Sequence, residues 1–266
     1  MLRELILALS LAGAVVPAAL AQSLAQRVAS APDGEVEFNF AARPDVCGDG
    51  RGMIRSGHHH MWISKNNVSM SDDDEDRDCP CSSGPVRIRL TVRGHRIVDL
   101  HTRVGGQGAA AATGASDLGQ VPAARAVEYL LSLAANQRED VGKEAIFPAT
   151  LADSVRVWPA LLRIARDRTI AGETRRSAVF WVSQAAGEAA TLGLDSLVSD
   201  EHGDRDVREQ AVFALSQRPK EEGVPVLIRV ARTNRDPEIR KKALFWLGQS
   251  EDPRALALFE EILTKR

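Results

Sequence analysis

Cysteine is scarce in this chain, with three residues in 266, too few for a disulfide scaffold. A surplus of charge is missing too. The formal net charge is −2 at pH 7, so nothing favours a nucleic acid or an anionic membrane as partner. Beyond residue 21 no apolar run is long enough to span a bilayer, which leaves peripheral membrane association at most. Catalytic signatures are absent as well. There is no G-x-S-x-G, no H-E-x-x-H and no G-x-x-x-x-G-K-S/T. Gly105-Gly106-Gln107-Gly108 has no phosphate-binding Lys after it. The expectation is a non-catalytic chain without a cofactor.

Residues 1–21 read as a signal peptide. Arg3 gives a basic start, Leu5 to Val16 is apolar but short, and Ala19-Leu20-Ala21 is an A-x-A cleavage site. The mature chain is expected to begin at Gln22, in a periplasmic or extracellular, oxidising compartment.

Residues 22–104 read as a small β-rich region. Val36, Phe38 and Phe40 alternate with polar residues, as in a half-buried strand. Asp45 to Gly52 is rich in turn residues and ends that segment. Val86, Ile88, Leu90 and Val92 alternate with Arg87, Arg89, Thr91 and Arg93, and the pattern resumes from Val98 to Val104. Gly94-His95 between the runs suits a tight hairpin, with Gly first as a type II′ turn prefers. Residues 105–120, rich in Gly, Ala and Ser, are expected to form a linker. A helix through Ala135 follows Val121-Pro122 and is expected to seal the first end of what comes next.

Residues 121–266 are dominated by a repeat. Ala145-Ile146-Phe147, Ala178-Val179-Phe180, Ala211-Val212-Phe213 and Ala243-Leu244-Phe245 are the same short phrase. The steps from Ala145 to Ala178, Ala211 and Ala243 are 33, 33 and 32 residues. Arg175, Arg208 and Arg240 precede the last three copies, and Gln184, Gln217 and Gln249 follow them. Each unit adds a second apolar segment, with Leu161, Leu194, Leu227 and Phe259 in phase and Ile164, Leu197, Val230 and Ile262 three residues later. An i, i+3 apolar pair at fixed phase describes one face of a second helix. Fixed-period helix pairs stack so that neighbours share one core.

These residues resemble HEAT repeats of an exported bacterial type, including the variety first named from phycobilin lyases. Asp236-Pro237-Glu238-Ile239-Arg240-Lys241-Lys242-Ala243-Leu244 is similar to that family's first helix, and Ser250 to Ala255 to its inter-helix turn. Asp236 suits the N-cap and Pro237 the first helical turn. The first copy departs most, with Gly142 in place of Arg and Pro148 after the Phe. The implied fold is mostly α, a HEAT-like solenoid of about four helix pairs behind a small disulfide-linked β region. The implied role is a protein-interaction module or scaffold, whose partner is another protein. A lyase-like activity is implied by name alone, since no chromophore-handling residue carries over.

Cys47 with Cys79 or Cys81 would close a loop of about 35 residues, stabilising by about 3–4 kcal/mol in the chain-entropy model. In sequences that this chain resembles, the Cys before a Gly-Pro-Val strand is the partner, which implies Cys47–Cys81. The competing functional class is a metal-dependent binder or enzyme around His58-His59-His60. Only His58 and His60 could converge there in a strand, and zinc-ligand spacing is missing, so an exposed His run in a loop is expected. Asp72 to Asp76 lacks the spaced ligands and Gly of a calcium loop. Arg175, Arg208 and Arg240, beside Asp206 and Asp236, are expected to fix stacking. Phe147, Phe180, Phe213 and Phe245 carry two readings. They fill seams between first helices, or they form an aromatic ladder that anchors a partner.

Overall fold

A computed structural model describes residues 22–56, 59–64, 67–71, 81–106, 114–136, 139–185 and 187–264. The signal-like residues 1–21, His58, Asp72–Asp76, Cys79, Gln107 and Gly108 lie outside the described residues.

Helix α1 (Leu24–Ala29) opens with a capping box, Ser23 and Gln26 each accepting from the other's backbone N–H. Strand β1 (Gly34–Phe40) follows, and its alternate side chains Val36, Phe38 and Phe40 are buried. It is an inner strand of a sheet ordered β7-β6-β1-β8. Strands β6 (Val86–Arg93) and β7 (Arg96–Val104) make the expected hairpin. Its turn differs from the expected type. Gly94 and His95 both have positive φ, 56° and 57°, which is type I′. Asp33 explains it. Its carboxylate accepts from the N–H of Gly94 at 2.6 Å and of His95 at 3.2 Å, which offsets the left-handed cost at His95. The same two bonds hold the Asp33 carboxyl below the usual range.

The stretch expected as a linker ends in a strand. Strand β8 (Ser116–Gln120) runs parallel to β1. A second sheet was not legible at all: β2 (Val46–Gly48), β3 (Met53–Ser56), β4 (His59–Ser64) and β5 (Asn67–Ser71) form an antiparallel meander. His59 and His60, expected in a loop, therefore lie in a strand. Cys47 on β2 is bonded to Cys81, with Cα atoms 5.4 Å apart. Beside the bond the chain after β2 meets β7 backbone to backbone, the Gly50 N–H donating to the Val104 carbonyl at 2.9 Å. Gly48 and Ser82 exchange N–H···O bonds of 2.9 and 3.1 Å. A Cβ on Gly105 would sit 2.3 Å from the Ser82 carbonyl oxygen and 2.4 Å from that of Gly48, so only glycine fits.

The rest is helical. Helix α2 (Ala123–Asn136) covers β1, with Tyr129 edge-on to Phe38 at 6.1 Å. Four pairs follow: α3 (Glu139–Thr150) with α4 (Trp158–Arg166), α5 (Gly172–Ser183) with α6 (Glu188–Val198), α7 (Arg205–Ser216) with α8 (Lys220–Thr233), and α9 (Pro237–Gly248) with α10 (Pro253–Thr264). First helices stack on first helices, α3 to α5 to α7 to α9, and second helices do the same. Ala145, Ala178, Ala211 and Ala243 are fully buried at equivalent points. There a methyl group lets neighbouring helices approach closely.

The β region and the solenoid share one core. It runs unbroken from Leu24 to Leu258. The backbone joins them as well: Arg43 donates to the Leu151 carbonyl at 2.9 Å, and Asp153 to that of Ala41 at 3.0 Å. A hairpin too small to stand alone is thus stabilised by the first repeat. Glu144 of α3 sits at this junction, near Asp99 of β7, which pairs with His101 at 2.9 Å. Burial pushes the Glu144 carboxyl up to about 7, Asp99 and Asp140 add to that, and Lys143 opposes it.

Candidate protein-interaction surface

The repeated arginines build rungs between repeats. Arg175 of α5 reaches Asp204 at 2.5 Å, and its Nε donates to the Ile170 carbonyl at 3.0 Å. Arg208 of α7 reaches Asp236 at 3.0 Å, and also bonds Val198 O and Asn234 Oδ1, each at 3.2 Å. Each arginine thus ties its own repeat to the N-cap of the next. Arg240 occupies the same position in α9. It donates to the carbonyls of Asn234 and Arg235 instead.

The acid of the first rung differs from the one expected. Asp206 lies on the exposed first turn of α7, 3.3 Å from Arg176. Asp204 takes the rung because it is the N-cap residue of α7, as Asp236 is of α9. The Arg175 hydrogen bond holds the Asp204 carboxyl down, against burial and helped by Arg168. Burial works against Asp236, but the Glu238 N–H, Arg205 and Arg208 pull its carboxyl below the usual range.

The seam between α3 and α5 has no rung. Gly142 stands where the arginine would be, and Ala171 is the N-cap of α5. Both halves are absent together. An aromatic pair fills that seam instead. Phe147 is 3% exposed and lies 4.9 Å from Trp181, centroid to centroid. The pairing recurs one seam further along than the next, with Phe213 4.9 Å from Trp246. Phe180 is half-buried and Phe245 is 56% exposed. The four phenylalanines therefore do not form one open row. Phe147 is a seam residue, Phe180 and Phe213 are partly covered, and Phe245 faces outward.

Around Phe213 and Trp246 the first-helix face is concave. A depression of about 380 Å³ crosses α5, α7 and α9. Phe213 and Trp246 line it, together with Arg176, Asp206, Glu209 and Lys242. Lys242 pairs with Glu209 at 3.1 Å, so the rim carries both signs. A second depression, about 270 Å³, lies at the turn ends of the last two repeats and shares Trp246 with the first. The Trp246 Nε1–H is buried and has no partner among the described residues.

Sequence reasoning missed Arg218. It is buried and spans from its own turn to the turn of the previous repeat. It donates to Ser183 O at 2.9 Å and Gly187 O at 3.1 Å, to Thr191 Oγ1 at 2.8 Å and to Glu222 at 2.9 Å. An arginine met once in a turn gives no periodic signal. At the last turn Asp252 is held by Arg254, which keeps its carboxyl at about 2.

Among the described residues no three His, Cys, Asp or Glu side chains converge as a metal site. Among them also, no helix is long and apolar enough to cross a membrane. No curated protein matches the chain. Residues 194–266, which take in the end of α6 and the last two helix pairs, match the family model for HEAT repeats.

Proposed function

We propose that the protein is an exported interaction module or scaffold that holds another protein through the groove across α5, α7 and α9. The observation that carries this is the groove itself, with an aromatic floor of Phe213 and Trp246 and a rim of mixed charge. Stacked repeats present such extended, pre-organised surfaces, and aromatic anchors with charged surrounds dominate binding energy. HEAT repeats commonly serve protein binding and are usually non-catalytic, and the matched residues 194–266 include most of the groove. The variety of repeat is the one first named from phycobilin lyases, carried by Asp236 to Leu244. Export rests on residues 1–21 and is supported by the Cys47–Cys81 bond, which an oxidising compartment maintains.

Affinity capture from the extracytoplasmic fraction tests the groove. Wild type is compared with the Arg176→Glu, Lys242→Glu double variant, which turns the rim wholly acidic. The substitutions are at the surface, so stability changes by no more than about 1 kcal/mol. Capture of the partner is lost in the variant. Undiminished capture would remove the groove from the function. Mass spectrometry of the protein from its own host should find Gln22 as first residue, and a mature chain that keeps Met1 to Ala21 would overturn export.

A further inference from the structure

The last repeat ends in a face whose equivalents in the earlier repeats are buried or partly covered. Ile262 is 50% exposed, while its equivalents Ile164, Leu197 and Val230 are buried. Leu263 is 82% exposed, while Ala165 and Val198 at the same position are buried and Ala231 is partly buried. Leu256 is exposed and Val224 and Thr191 are not, and Leu244 is only partly covered where Ile146, Val179 and Val212 are fully buried. Arg240, the counterpart of two rung arginines, has no carboxylate paired with it among the described residues. This face keeps the residues of an internal seam.

We infer that this face, formed by α9 and α10, binds the same face of a second copy of the chain in a two-fold dimer. The reason is that the face is complementary to itself. Arg240 and Lys241 make α9 basic, and exposed Glu260 makes α10 acidic. Glu260 stands one residue after Phe259, as Asp195 stands after Leu194, and Asp195 pairs with Arg229 of the following repeat. The position is thus one that takes a cation from the next layer. The levels match as well. Lys241 lies four residues after Pro237, the first of α9, and Glu260 four before Thr264, the last of α10. The two helices form a hairpin and run antiparallel, so both charges sit about 6 Å from the same end. A two-fold axis parallel to the helices lays α9 on the other copy's α10 and keeps that level. Lys241 then meets Glu260 twice by symmetry. Phe245 and Leu256, each one further turn along by the same count, meet in the same way. An isologous contact needs this kind of self-match. The inference is independent of the groove on the first-helix face, since Arg240, Lys241 and Glu260 do not line it.

Sedimentation velocity of the full chain on serial dilution tests it. A concentration-dependent dimer is expected. Leu263→Glu should give a monomer with unchanged melting temperature at concentrations where the variant and wild type are both monomeric, because the side chain is solvent-exposed there. Lys241→Glu should weaken the dimer at least about tenfold, and Glu260→Lys in the same chain should restore it. A monomer at every concentration overturns the inference. So does a dimer that tolerates Leu263→Glu, or a Lys241→Glu, Glu260→Lys chain that stays as weak as Lys241→Glu alone.

Discussion

The seam between the first two repeats and the seam between the last two solve one packing problem with different chemistry. At the first, Phe147 lies under Trp181, and the arginine and the N-cap acid of a rung are replaced by Gly142 and Ala171. At the last, Arg208 reaches Asp236 while Phe213 meets Trp246. The middle seam is the reverse of the first. Arg175 and Arg176 reach Asp204 and Asp206, and Ala214 stands where the other seams have Trp. A stack of near-identical units therefore tolerates loss of its polar rung where an aromatic pair replaces it. It tolerates loss of the aromatic pair where the rung is kept. Charge gives a directed tie and fixes register. Aromatic burial gives more non-directional stability.

Breaking the seam that lacks a rung should cost most. Phe147→Ala removes a buried ring with no arginine rung beside it, and about 3–5 kcal/mol of stability should go, read by urea unfolding. The same change at half-buried Phe213, whose seam also holds Arg208–Asp236, should cost about 1–3 kcal/mol. Equal losses at the two sites would mean that the rung adds nothing to its seam.

The rung is tested from the other side. Arg208→Ala takes one donor each from the Asp236 carboxylate, Val198 O and Asn234 Oδ1. About 2–4 kcal/mol should be lost. Arg240→Ala, where the guanidinium meets only the carbonyls of Asn234 and Arg235 among the described residues, should cost clearly less. A loss as large at Arg240 would show that the bonds to its own turn, not the tie between repeats, carry the stability.

Much of this was legible because it is periodic. The Ala-x-Phe phrase located every first helix, and the alternation in Val86 to Val92 located the main hairpin. Asp236 was found because it precedes Pro237 at a helix start. Asp204 was missed for a simple reason: the acid was sought beside each arginine in sequence, whereas the rung is closed by the N-cap of the following repeat. Trp181 and Trp246 were missed because the Trp follows Phe in alternate repeats only. Strands β2 to β5 were missed because segments such as Val46-Cys47-Gly48 are too short to show a period, and their pairing is set by the sheet they join. Phe245 looked equivalent to Phe147 in sequence. Exposure separates them, and exposure depends on what stacks next.

The junction of β7 with α3 contrasts with the two seams that carry a rung, since it holds a carboxyl pushed up to about 7 rather than down. Unfolded, Glu144 ionises near its ordinary value of 4.5. Between 4.5 and 7 the unfolded chain therefore loses a proton that the folded chain keeps. Stability falls as pH rises through that window, and the penalty is complete above it. Glu144→Gln should therefore raise the melting temperature at pH 8 and leave it nearly unchanged at pH 4.5. With solvent screening allowed for, the gain is about 1 kcal/mol, or about 2–4 °C. A gain of equal size at both pH values would assign the effect to packing instead.

The smallest change sharpens the comparison most, because it separates a helix cap from a rung. Asp236 does both jobs: it accepts the Glu238 N–H at 3.0 Å and the Arg208 guanidinium at 3.0 Å. Ala171 does neither, although its backbone is extended, with ψ 140°, as an N-cap requires. Ala171→Asp supplies a cap to α5 while Gly142 in the preceding repeat supplies no cation. The expected gain is the cap alone, about 0.5–1 kcal/mol. Asp236→Ala removes cap and rung together and should cost more than Ala171→Asp returns. The excess, measured by urea unfolding of the two variants against wild type, is what the tie between repeats adds. If the two changes prove equal and opposite, the arginine ladder sets register without contributing stability, and aromatic burial holds the stack.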